Sequence, residues 1–150
     1  RRLVRFTVLG RDAATFDRHV CRTSAVCHQV ITENAHSIGN PRTTVEVQHP
    51  HGKPFNRVEE LQVGDPLVVQ TETTWYVYRV TDTRIVDPTA VEVVAPVPGE
   101  PGATPTRAMI TFTTCHPEFS LKQRFIVHGE LDYWMPVSEG TPAEFSEVPD

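Results

Sequence analysis

The spacing of apolar residues constrains this chain more than anything else in it. The runs RLVRFTVL (2–9), TTVEVQ (43–48), PLVVQTE (66–72), WYVYRVTDTRIV (75–86), AVEVVAP (90–96), RAMITFTTC (107–115) and RFIVHGEL (124–131) are short, and rich in β-branched and aromatic residues. Several alternate apolar and polar residues with a period of two, the pattern of a half-buried strand. With 13 prolines in the chain, long helices have little uninterrupted room. One stretch, ATFDRHVCRTSAVCH (14–28), has helical spacing, with Phe16, Val20 and Cys27 as inner positions. FNRVEELQVGD (55–65) reads as one helical turn ended by Gly64. Seven or eight short strands with one or two short helices predict an all-β fold. A closed barrel is favoured over a sandwich because closure leaves no exposed edge.

At 150 residues and 39% hydrophobic content the chain can bury a core of its own. The Pro/Gly stretch PVPGEPGATPT (96–106) is too short to separate domains, so residues 1–150 form one domain, with an acidic tail (136–150) expected to fray. Net charge is −5 and no Lys/Arg run occurs, which argues against nucleic acid as a partner. No apolar run approaches the roughly 18 residues of a membrane span. The sequence opens at Arg1-Arg2 in strand-like residues, without a signal peptide or anchor helix. The three cysteines leave two readings: Cys21 and Cys27 pair and Cys115 is left over, or all three are reduced.

TFTTCHPEFSLKQRFIV (111–127) carries the chemistry. Side chains alternate along a strand, so Met109, Thr111, Thr113 and Cys115 share one face, and Ile110, Phe112 and Thr114 the other. Beyond the loop, Arg124, Ile126 and His128 share a face opposite to that of Phe125 and Val127. If the two strands form a hairpin around residues 116–123, Cys115 and Arg124 stand opposite one another with Cβ atoms about 5 Å apart. A thiolate attacks a carbonyl carbon, and a fixed cation stabilises the resulting oxyanion. Arg suits that role because it stays charged and offers several donors. The reaction still needs an acid/base, most often a His.

These residues resemble the sortase family, and within it class E. TFTTC is similar to the strand motif that ends in the family's nucleophile, and Arg124 matches its catalytic arginine. GKPFNRVEELQVGDPLVV (52–69) and YVYRVTDTRIVDPTAVEVVAPVPG (76–99) match further family stretches, while LGRD (9–12) and SIGN (37–40) echo it more faintly. The resemblance implies an eight-stranded β-barrel and a cysteine transpeptidase of the cell envelope. It would cleave a C-terminal sorting signal of LAXTG type between Thr and Gly. It would then pass the acyl group to an amine of the cell wall or a pilin. It implies no metal or organic cofactor, an N-terminal membrane anchor absent from this chain, and action at the extracellular face of the membrane. Monomer is the default state.

In one column the chain departs from the family. The position of the family's catalytic His holds Val47, within RTTVEVQHPHG (42–52). His49 is the candidate acid/base, two positions on and therefore on the same strand face, and His51 is the alternative. Thr113, Thr114 and His116 are expected to contact substrate. The competing readings are a catalytically impaired sortase-like domain that binds peptide, and a plain cysteine protease.

Overall fold

The fold is taken from a computed structural model that describes residues 4–7, 27–32, 44–46, 58–95, 97–104, 106–117 and 120–147, the first three segments by backbone alone. Seven strands form one sheet: β1 (Val4–Thr7), β2 (Cys27–Thr32), β3 (Thr44–Glu46), β4 (Pro66–Gln70), β5 (Thr74–Val86), β6 (Ala108–His116) and β7 (Gln123–Pro136). Their order is β1-β4-β5-β7-β6-β2-β3. The middle of the sheet, β4-β5-β7-β6, is antiparallel throughout. The pairings β1–β4, β2–β6 and β2–β3 are parallel. The all-β expectation is met. Of the closed eight-stranded barrel, the described residues supply seven strands, with β1 and β3 outermost.

Two long strands form the spine. β5 has 13 residues and β7 has 14, and they pair along nearly their whole length. The register shifts between Val77 and Tyr78 and between Val80 and Asp82. A shift of one residue moves the following side chains to the other face. Before the second shift, Tyr76, Tyr78 and Val80 enter the main core with Leu67, Val69, Ile110, Phe112, Phe125 and Val127. After it, Asp82, Arg84 and Val86 lie opposite His128, Ile126 and Arg124, on the face away from that core.

Both ends of that second face are covered. At one end Val68, Trp75 and Val77 pack with Tyr133, Met135, Val137 and Phe145. At the other, Val93 and Val94 of a 3-10 turn (Val91–Val94) pack on Ile126 and Val86.

The structure corrects three expectations. Within AVEVVAP, Val91–Val94 form a 3-10 turn rather than a strand. Asp87-Pro88-Thr89 starts the turn: the Asp87 carboxylate accepts from the Thr89 N–H (3.0 Å) and hydroxyl (2.7 Å). Those bonds hold the carboxyl below its usual range and break the strand before the valines. The helix expected to run to residue 28 does not include its end, since Cys27 and His28 open β2; residues 14–26 lie outside the described residues. The tail expected to fray from Pro136 is instead docked as far as residue 145. The Trp75 indole donates to the Gly140 carbonyl (2.9 Å), and Phe145 meets Trp75 edge-on with ring centroids 5.4 Å apart. Buried Glu144 accepts from Arg79 and from the Tyr133 hydroxyl. Burial first, then that carboxylate, pushes the Tyr133 phenol above its usual range.

Gly129 lets β7 cross the core closely. A Cβ there would meet Leu67 Cδ1 at 3.0 Å, Ile110 Cγ2 at 3.1 Å and the Arg79 carbonyl at 3.2 Å. The backbone contact cannot rotate away, so Gly129→Ala is expected to destabilise the fold by about 1–3 kcal/mol. A urea-unfolding midpoint unchanged from that of the parent chain would refute this.

Candidate active site

β6 and β7 pair with Cys115 directly across from Arg124, as the spacing predicts. The register is set by the core: Phe112 stands opposite Val127 and Ile110 opposite Gly129, all facing inward. Thr111, Thr113 and Cys115 then necessarily face the other way, as do His128, Ile126 and Arg124. Cys115 is a free, half-buried thiol. Arg124 is only 8% exposed.

The guanidinium is anchored by its own loop. Nη1 donates to the carbonyls of Leu121 (3.1 Å) and Gln123 (2.9 Å). Nε is buried and has no hydrogen-bond partner among the described residues. A buried cation that meets two neutral carbonyls and keeps a donor in hand is incompletely compensated. An anion arriving at the same rim, such as a tetrahedral oxyanion, would complete it.

Above the thiol, pairs of residues step up the two strands. Thr113 faces Ile126, and Thr111 faces His128 with Oγ1 2.9 Å from His128 Nδ1. Thr111, Thr113, Ile126 and His128 are all buried. His128 shares the face of Cys115, but the four steps along the strand from position 124 to 128 span about 13 Å, too far for direct proton exchange with the thiol. Val93 and Val94 cover Ile126 in between. Past them lies a cavity of about 370 Å³ lined by His128, Met109, Asp82, Arg84, Val97 and Arg107, among others. Val97, Pro98, Glu100 and Thr106 border this recess, whose lining does not include the thiol.

The expected substrate contacts fare differently. Thr113 is 2% exposed, opposite Ile126, on which Val93 and Val94 pack. Thr114 and His116 are half-buried at the rim. His116 is engaged elsewhere, with Nδ1 2.5 Å from Glu59 Oε1 and its ring tilted against Phe125 at 6.2 Å. The pairing of Glu59 with His116 went unseen in the sequence because 57 residues separate them. The amphipathic spacing of VEEL (58–61) was the available hint, since it buries Val58 and Leu61 and leaves Glu59 outward. His49 and His51 lie outside the described residues, as do Val47 and Cys21.

Comparison with known proteins gives a consistent assignment. The sortase-domain family profile matches residues 12–132. Sortase SrtE1 of Streptomyces coelicolor is 38% identical over 96 residues, covering 63% of this chain and 27% of that protein. Sortase SrtE2 of the same organism is 39% identical over 85 residues, covering 54% and 32%. The chain therefore spans less than a third of the length of these curated relatives. Among solved structures, the SrtA sortase from Actinomyces oris superposes with a TM-score of 0.60 at 47% identity, over 64% of this chain and 56% of that one. Sortase E1 from S. coelicolor, crystallised with a tripeptide in its active site, superposes with a TM-score of 0.58 at 32% identity, over 75% and 74%. The chain belongs to the sortase family of transpeptidases, and within it to class E.

Proposed function

We propose that this chain is a cysteine transpeptidase that cleaves a sorting signal of LAXTG type between Thr and Gly and transfers the acyl group to an amine of the cell wall or a pilin. The observation that carries this reading is the direct pairing of a free thiol with a buried, partly uncompensated arginine. Cys115 attacks the Thr carbonyl; the C–N bond breaks and the Gly amine leaves with a proton. The resulting thioester is opened by the acceptor amine, which loses a proton as the thiol is restored. Arg124 stabilises the oxyanion in both halves. His49 supplies and removes the protons, with His51 as the alternative.

The substrates are the peptide sorting signal of a secreted protein and an amine acceptor at the extracellular face of the membrane, and the chain acts as a monomer. The rim residues Thr114 and His116 border the peptide site. The tripeptide held by the S. coelicolor relative supports a peptide-sized ligand at this place. A second reading has one specific observation in its favour. Val47 occupies the family's histidine column, and neither histidine with a described side chain, His116 or His128, is placed to serve Cys115. That reading is a domain that binds the peptide without turning it over.

The test is incubation with an LAXTG peptide and a glycine-based amine, followed by mass spectrometry. Ligated product is expected. Hydrolysed acid alone indicates a protease, and bound but intact peptide indicates the impaired form. Cys115→Ala should abolish both the thioester and the product. Arg124→Lys keeps the charge but loses the planar fork, and should lower kcat by about 10²–10³-fold; near-normal kcat in this variant would remove Arg124 from the chemistry. For the acid/base, His49→Ala should reduce kcat by about 10²-fold or more while His51→Ala stays near the parent value. The opposite pattern would transfer the role to His51.

A further inference from the structure

We propose that Glu59 is a positioning residue for the Cys115 thiol, acting through His116; the kinetic part of this inference rests on the transpeptidase reading above.

His116 is the last residue of β6, and its pairing with Gln123 is the last rung of the β6–β7 ladder. The next rung inward is Cys115 with Arg124. The final rung of a ladder frays most readily, because strand pairing holds it from one side only. Beyond it the chain is held by local turn bonds, Ser120 N–H to the Pro117 carbonyl (2.9 Å) and Lys122 N–H to the Ser120 hydroxyl (3.2 Å). The thiol therefore sits one residue from the point where order imposed by the sheet runs out.

Glu59 supplies the missing restraint from a third direction. It lies in a 3-10 turn (Val58–Glu60) whose neighbours Val58 and Leu61 are 1% and 5% exposed in the main core. The turn is tied onward to β5, with the Gly64 N–H donating to the Val80 carbonyl (2.8 Å) and the Val80 N–H donating to the Asp65 carbonyl (3.0 Å). From this fixed base the carboxylate holds His116 Nδ1, and Phe125 backs the ring. On the other lip, Arg124 is held by the carbonyls of Leu121 and Gln123. Both lips of the 117–122 loop are thus fastened, one to the core through Glu59 and one to the loop itself.

The pair is poorly placed to serve global stability. Its side chains are 20% and 45% exposed, and ion pairs that open to water contribute little to folding. Its effect is local. Cys115 and His116 share a peptide unit, so a swing of His116 turns the Cys115 backbone and carries Sγ away from the Arg124 side. A displacement of about 1 Å in a reacting group can cost up to about 10²-fold in rate.

The experiment compares Glu59→Ala, His116→Ala, the double variant, and His116→Asn, whose amide keeps a donor near the Nδ1 position. Two quantities are measured. One is the rate of Cys115 alkylation by iodoacetamide, followed on the Cys115 peptide by mass spectrometry so that Cys21 and Cys27 do not contribute. The other is kcat and KM with an LAXTG peptide and a glycine-based amine. Each single alanine variant is expected to lower kcat by about tenfold and to shift the alkylation rate several-fold, and Glu59→Ala, which lies away from the peptide site, to keep KM within about twofold. The double variant should be no worse than the singles, because the two residues act as one unit. His116→Asn should recover most of the loss. Parent-like kcat and alkylation in both singles, multiplying losses in the double, or an Asn variant no better than Ala would each overturn the proposal. Should His116→Ala fail to fold, Glu59→Ala carries the same test from a half-exposed site. If the parent chain alkylates at Cys115 but turns over no peptide, the transpeptidase reading fails, and the alkylation series alone decides the positioning role.

Discussion

The site depends on the register of one antiparallel pair. Ile110, Phe112, Phe125 and Val127 fill the core from β6 and β7, and Gly129 lets the strands close over Leu67. Because side chains alternate strictly, burying these residues compels Cys115 and Arg124 to share the opposite face at the same rung. Slipping either strand by one residue would turn Phe112 or Phe125 outward and lose about 2–3 kcal/mol of burial for each large apolar side chain exposed. The hydrophobic effect thus fixes a geometric relation between two polar groups that have no bond to one another.

The second face of the sheet shows how the remaining polar surface is managed. A register shift on β5 moves Asp82, Arg84 and Val86 onto the face of the thiol, while Val80, just before it, still enters the core. Val93 and Val94 then settle on Ile126 and Val86, leaving the Cys115 rung on one side and the recess at His128 on the other. At the opposite end the strap of residues 137–145 covers Trp75 and Val77, and Glu144 accepts from Arg79 and Tyr133 beneath it. Each cover is made of consecutive or irregularly spaced apolar residues, the kind of packing that a period-two reading cannot anticipate.

That contrast explains what could be read from the sequence. The hairpin was legible because a strand pair needs only alternation and a loop length to place Cys115 against Arg124. The long strands β5 and β7 were legible for the same reason, although β7 runs five residues past the expected end at Leu131, to Pro136. AVEVVAP was misread because its β-branched valines suit a strand on paper while Asp87 and Pro88 turn the backbone before they begin. The tail was misread because its acidic composition hides Phe145 and Glu144, whose partners Trp75 and Arg79 lie 70 and 65 positions away. Thr113 was placed on the correct face, but nothing local announces that Val93 and Val94 will pack on Ile126 opposite it.

The electrostatics of Arg124 give the arrangement its direction. Removing a guanidinium from water is costly unless other groups replace its hydration. Here the carbonyls of Leu121 in the loop and of Gln123 at the start of β7 replace part of it, and no carboxylate among the described residues pairs with it. A carboxylate at that place would satisfy the cation in the resting state and leave it little to gain from a developing oxyanion. Neutral carbonyls hold the side chain in position without neutralising it, so its charge remains available to the anion that forms only when a carbonyl is attacked. The same stretch that separates the thiol from the cation in sequence therefore also supplies the ligands that keep the cation both fixed and unspent.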